Sequence, residues 1–77
     1  MQHVALIRFS WVPGTLNRVR LQNQAHQTQS CEVSLSHLEK VLGRPATFDL
    51  YLKGHISLSL GSDTLASLTG TSFSIHA

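Results

Sequence analysis

Seventy-seven residues suffice for one hydrophobic core and leave nothing over for a second, so residues 1–77 are read as a single domain. A hydrophobic fraction of 42% with a net charge of only +2 excludes intrinsic disorder, which combines low hydrophobicity with high net charge. Charged residues make up 13% of the chain, about half the usual share. Ser, Thr, Gln, Asn and His must therefore supply the polar surface, which is cheaper to desolvate against a partner than one crowded with Lys and Glu.

Residues 3–12, HVALIRFSWV, predict a strand with His3, Ala5, Ile7, Phe9 and Trp11 on one side and Val4, Leu6, Arg8, Ser10 and Val12 on the other. Both sides are largely apolar, so this strand is expected to be central in the sheet or covered on both faces. Pro13-Gly14 marks a turn, and residues 15–24 alternate again, with Val19 and Leu21 opposed to Arg18, Arg20 and Gln22. An antiparallel hairpin follows from this order. The Gln/Asn-rich residues 23–30 are read as a loop. In residues 31–45, Leu35, Leu38, Val41 and Leu42 recur at helical spacing, Gly43 is placed to cap the C-terminus and Pro45 stops continuation. Either Ser34, with Val33 and Leu38 as a staple, or Ser36, with Glu39 as a capping box, serves the N-terminus.

The stretch FDLYLKGHISLSL, residues 48–60, alternates strictly apart from Gly54. As a bent strand, or as a hairpin with an odd loop at 53–55, it puts Phe48, Leu50, Leu52, Ile56, Leu58 and Leu60 on one face and Asp49, Tyr51, Lys53 and His55 on the other. A two-residue turn at Lys53-Gly54 is excluded, because it would set apolar against polar across the pair. Residues 62–70 predict a second helix with Ser62 as N-cap, Leu65 and Leu68 inward and Gly70 as terminator. Residues 71–77 predict a closing strand through Phe73 and Ile75. The expected fold is α+β: a mostly antiparallel sheet of four or five strands with two short helices on one face, in the order ββαβαβ or ββαββαβ.

The five histidines and Cys31 show no CxxC, HxxxH or HxH spacing, so neither a metal site nor a cofactor is expected. A single cysteine closes no disulfide within the chain, which fits a reducing, cytoplasmic setting. The N-terminal apolar run is short, is broken by Arg8 and lacks signal-peptide features, so no membrane partner is expected. The row from Asp49 to His55 has the residue types of an acid/base set, but polar residues on the outer face of a strand are ordinarily just solvated, and only four acids exist in the chain. No enzyme is expected.

The basic residues carry more. Arg8, Arg18 and Arg20 fall in residues 1–31, which hold no acid, whereas residues 32–77 hold three basic and four acidic side chains. An Arg/Gln stripe of this kind suits a phosphate backbone or an acidic protein surface. Three arginines neutralise few phosphates, and Arg with Trp and Tyr is also the composition of protein interfaces. The expected function is a non-enzymatic module that binds a protein, as an inhibitor or adaptor of the size that phages and mobile elements encode. The expected contact residues are Arg8, Trp11, Arg18, Arg20, Gln22, Tyr51, Lys53 and His55. Weak nucleic-acid binding through the arginines is the alternative. A core this small also favours a homodimer.

Overall fold

The computed structural model describes residues 4–26 and 28–70. Among them run β1 (Val4–Trp11), β2 (Arg18–Asn23), β3 (Ser30–Ser34), α1 (Leu35–Leu42), α2 (Thr47–Lys53), β4 (His55–Gly61) and α3 (Ser62–Thr69). The strands form one antiparallel sheet in the order β3-β2-β1-β4. Phe9 sits at its centre, opposite Leu21 on one side and Ile56 on the other. The fold is thus α+β, as expected, with three helices among the described residues.

One face of the sheet is the core face. Ile7, Phe9, Val19, Leu21, Val33, Ile56 and Leu60 are buried there in one cluster with Leu38 of α1, Leu50 of α2, and Leu65 and Leu68 of α3. The helices therefore cover the same side, and the opposite side, with Arg8, Arg20, Glu32, His55, Ser57 and Ser59, is exposed. Of the two alternatives expected for β1, a central place in the sheet is the one found; it is not covered on both faces. Val4 and Leu6 of β1 lie on the uncovered side and are exposed.

The hairpin follows the predicted parity, with Gly14 at a positive φ of 80° after Pro13, and Thr15 donating both its backbone N–H and its hydroxyl to the Val12 carbonyl. The loop after β2 is organised by the buried Asn23. Its side-chain oxygen accepts from the Ala25 and His26 amides, and its amide nitrogen donates to Gln29 Oε1. The loop is shorter than expected, because Ser30–Ser34 pairs with β2 as a fourth strand. In α1 it is Ser34 that caps, its hydroxyl accepting from the His37 amide at 3.1 Å, and Gly43 ends the helix in the left-handed conformation. Helix α3 begins one residue earlier than a Ser62 cap would set it, with Gly61 at the cap position. The predicted strand 71–77 lies outside the described residues.

The largest departure is in residues 48–60. Thr47–Lys53 is a helix, Gly54 is its left-handed C-cap at φ 79°, and the strand begins only at His55. There is no bent strand and no hairpin, so the order of the described elements is βββααβα. Helix α2 lacks a side-chain cap of its own. Its N-terminus is instead held by the Glu39 carboxylate of α1, whose Oε2 accepts from the Ala46 amide (2.7 Å), the Thr47 amide (3.2 Å) and the Thr47 hydroxyl (3.0 Å). Two helix-terminal backbone donors, on the buried Ala46 and the exposed Thr47, are satisfied by a negative charge from a different helix.

The Ala46 amide bond, followed by the Thr47 bonds, holds the Glu39 carboxyl below its ordinary range. A carboxyl lowered in the folded state stabilises the fold above its unfolded value of about 4.3 and loses that contribution as pH falls through the folded value. Glu39→Ala is therefore expected to cost about 1 kcal/mol at neutral pH, or about 4–8 °C in Tm. In thermal denaturation across pH, the gap to the parent should narrow at acid pH; a gap independent of pH would contradict this role.

Candidate docking surface

Helix α2 turns its apolar residues the wrong way for a surface helix. At 3.6 residues per turn only Leu50 of its leucines points into the core, while Phe48, Tyr51 and Leu52 fall at i, i+3 and i+4 on the outer side. Their exposures are 71%, 80% and 63%. Leu50 is fully buried. The outward stripe is thus a consequence of the helix's register, which Leu50, the Glu39 cap and the Gly54 terminator fix together.

Beside this stripe stands the β1–β2 turn, which carries Leu16 at 92% exposure. The turn is held by the Val12 amide donating to the Arg18 carbonyl (3.0 Å) and by the Leu35 amide donating to the Asn17 carbonyl (2.7 Å). Between turn and helix lies an open groove of about 530 Å³, lined by Trp11, Pro13, Leu16, Leu50 and Tyr51 among others. Trp11 is only partly buried and packs against the core at the groove's base. Four of the exposed large apolar side chains therefore belong to one end of the molecule.

The sequence-predicted contact residues divide among three places. Trp11 and Tyr51 meet at this groove. Arg8, Arg18, Arg20, Gln22 and His55 lie on the uncovered sheet face, where Arg8 stands between Gln22 and Ser57, and Ser10 between Arg20 and His55. Lys53 and His55 border a separate groove along β4, with Asp49 and Arg44. The row Asp49, Tyr51, Lys53, His55 does not exist as a row, because the first three residues are helical. Leu16, Phe48 and Leu52 were missed as contact residues; the i, i+3, i+4 spacing of 48, 51 and 52 was the signal that a period-2 reading hid.

The arginine face is only partly neutralised. Arg20 Nη2 lies 3.4 Å from Glu32 Oε2 with both side chains substantially exposed, and Arg18 Nη2 donates to the Glu32 carbonyl at 3.5 Å. An exposed pair of this kind adds little stability. Cys31 sits on the core side of β3 opposite Leu21, and burial, with the Glu32 charge second, raises its thiol above the ordinary value. It is therefore a poor nucleophile near neutrality. Among the described residues no group of three or more His, Cys, Asp or Glu side chains is placed to hold a metal ion, and no helix is long and apolar enough to cross a membrane. Comparison with protein-family models, characterised proteins and solved structures gave no match to this chain.

Proposed function

We propose that this chain is a non-enzymatic protein-binding module, an inhibitor or adaptor, whose α2 stripe and adjoining groove receive an apolar segment of a protein partner. The observation that carries the reading is the outward placement of Phe48, Tyr51 and Leu52, with Tyr51 at the groove that Leu16 and Trp11 also line. Large apolar side chains clustered outward on one short helix mark an interaction site, and each Å² of them removed from water contributes about 25 cal/mol. Tyr and Trp are the side chains most often found where binding energy concentrates. The surrounding surface is sparsely charged, so little has to be desolvated when a partner docks. The single cysteine, Cys31, fits work in the reducing cytoplasm.

A second reading rests on a different observation. Arg8, Arg18 and Arg20 share the uncovered sheet face with one acid, Glu32, which suits an anionic partner such as a nucleic-acid backbone. Among its described residues that face carries no Phe, Tyr or Trp, since Trp11 points to the core side, so stacking is limited to His55 and the affinity would be mainly electrostatic. One experiment separates the two. The full chain is immobilised and partners are recovered from its native host with the parent, with Phe48→Glu/Tyr51→Glu and with Arg18→Glu/Arg20→Glu. The protein-docking reading expects one stoichiometric protein that the first variant loses and the second keeps. Loss with the arginine variant alone, together with a steep salt dependence, supports nucleic-acid binding and overturns the docking reading.

A further inference from the structure

We propose that β4 is a self-pairing edge, through which two copies of this chain join antiparallel around a two-fold axis at Leu58. The sheet has two edges among the described residues, β3 and β4. Edge strands expose unpaired backbone donors and acceptors, and proteins that stay apart guard them with short length, charge or proline. β3 is guarded: it has five residues and carries Glu32. β4 has seven residues, HISLSLG, with no Lys, Arg, Asp, Glu or Pro among them.

Among the described residues the edge is also open. The groove beside its first half is lined by His55, Ile56, Ser57 and Leu58 together with Arg44, Asp49 and Lys53 of the α1–α2 loop and α2, so the charges near this edge lie on the neighbouring helix and loop and not on the strand. Leu58, in the middle of the strand, is only partly buried, whereas Ile56 and Leu60 on either side of it are buried.

The occupant is fixed by the strand's own pattern. A two-fold axis at Leu58 sets Ile56 opposite Leu60 of the second copy, Ser57 opposite Ser59, and Leu58 opposite itself. Apolar meets apolar on the helix side and serine meets serine on the other, a near-palindrome that a shift by one residue destroys. A second copy of this strand therefore matches it in both rows at once. The product is a continuous sheet with helices on one side and both arginine faces on the other, the two Arg8 strands about 14 Å apart across three strand spacings. This inference does not rest on the docking reading, which uses Phe48, Tyr51 and Leu52 of α2 and the groove beside the β1–β2 turn, whereas the edge uses the backbone of β4.

The test is the mass of the full chain in solution, by sedimentation equilibrium from about 5 to about 500 µM, since an interface this small binds weakly. The parent is expected to rise from 8.5 kDa towards twice that mass. Ser57→Lys/Ser59→Lys sets Lys against Lys at both symmetric positions and is expected to weaken association by about tenfold or more. Ser57→Lys/Ser59→Glu sets Lys against Glu at the same two positions and is expected to restore it. Both substitutions are on the exposed face, and circular dichroism confirms that each variant is folded. A monomeric parent, or a dimer that ignores both variants, overturns the proposal; equal loss in the two variants overturns the register.

Discussion

Leu50→Ala is expected to cost about 2–5 kcal/mol, whereas Leu52→Ala and Phe48→Ala stay within about 0.5 kcal/mol of the parent. The three residues look equivalent in an alternating sequence, and a strand would bury them alike. In the helix their fates differ. Leu50 is fully enclosed between α2 and the sheet, and truncating it leaves a cavity that the rest of the core cannot fill. Leu52 and Phe48 lose contacts mainly with water. For a domain whose total stability is about 4–12 kcal/mol, the first substitution leaves little margin or none. Urea denaturation reads the difference as a shift in midpoint at unchanged slope. Similar large losses at all three positions would contradict the helical register and, with it, the exposed stripe.

Phe48→Glu/Tyr51→Glu is expected to weaken partner binding by more than about 30-fold, the effect of losing at least about 2 kcal/mol at a contact centre. The same pair should leave the melting temperature close to that of the parent, because both side chains already face water. Binding and stability are thereby uncoupled. The Leu50 variant would instead lose binding and stability together, through the unfolding of α2. A charged stripe that binds as well as the parent would remove the basis for a docking site on this helix.

Much of the fold was legible in local pattern. Pro13-Gly14 between two alternating runs specified the hairpin, and the parity of Arg18, Arg20 and Gln22 put them on the outer face where the structure has them. Gly43, Leu65 and Leu68 were likewise placed by spacing alone. What failed was the segment whose structure depends on a distant group. Residues 48–53 alternate as a strand does, and the reason they coil is the Glu39 carboxylate arriving from α1, with Gly54 closing the far end. The cap itself leaves no trace in the neighbouring residues, and the helical spacing of Phe48, Tyr51 and Leu52 was overshadowed by the alternation. β3 was missed because a five-residue edge strand with only Cys31 and Val33 facing inward is too short for a pattern.

The same cause governed the site. The arginine surface was visible because it lies on well-patterned strands, and the apolar groove was not, because its residues come from a turn and from the misread helix. Trp11 and Tyr51 were singled out for their chemistry, but on the strand reading they belonged to different places. Only the helix brings Tyr51 against the turn that holds Leu16.

Trp11 is the single tryptophan of the chain and lines the groove, so its fluorescence reports directly on whether the groove is filled. Titrating the recovered partner into the full chain is expected to shift Trp11 emission to shorter wavelength and to saturate at one partner per chain. The shift should be absent with Phe48→Glu/Tyr51→Glu. A partner that binds at the same stoichiometry while Trp11 emission stays unchanged would show that the groove is not where it docks.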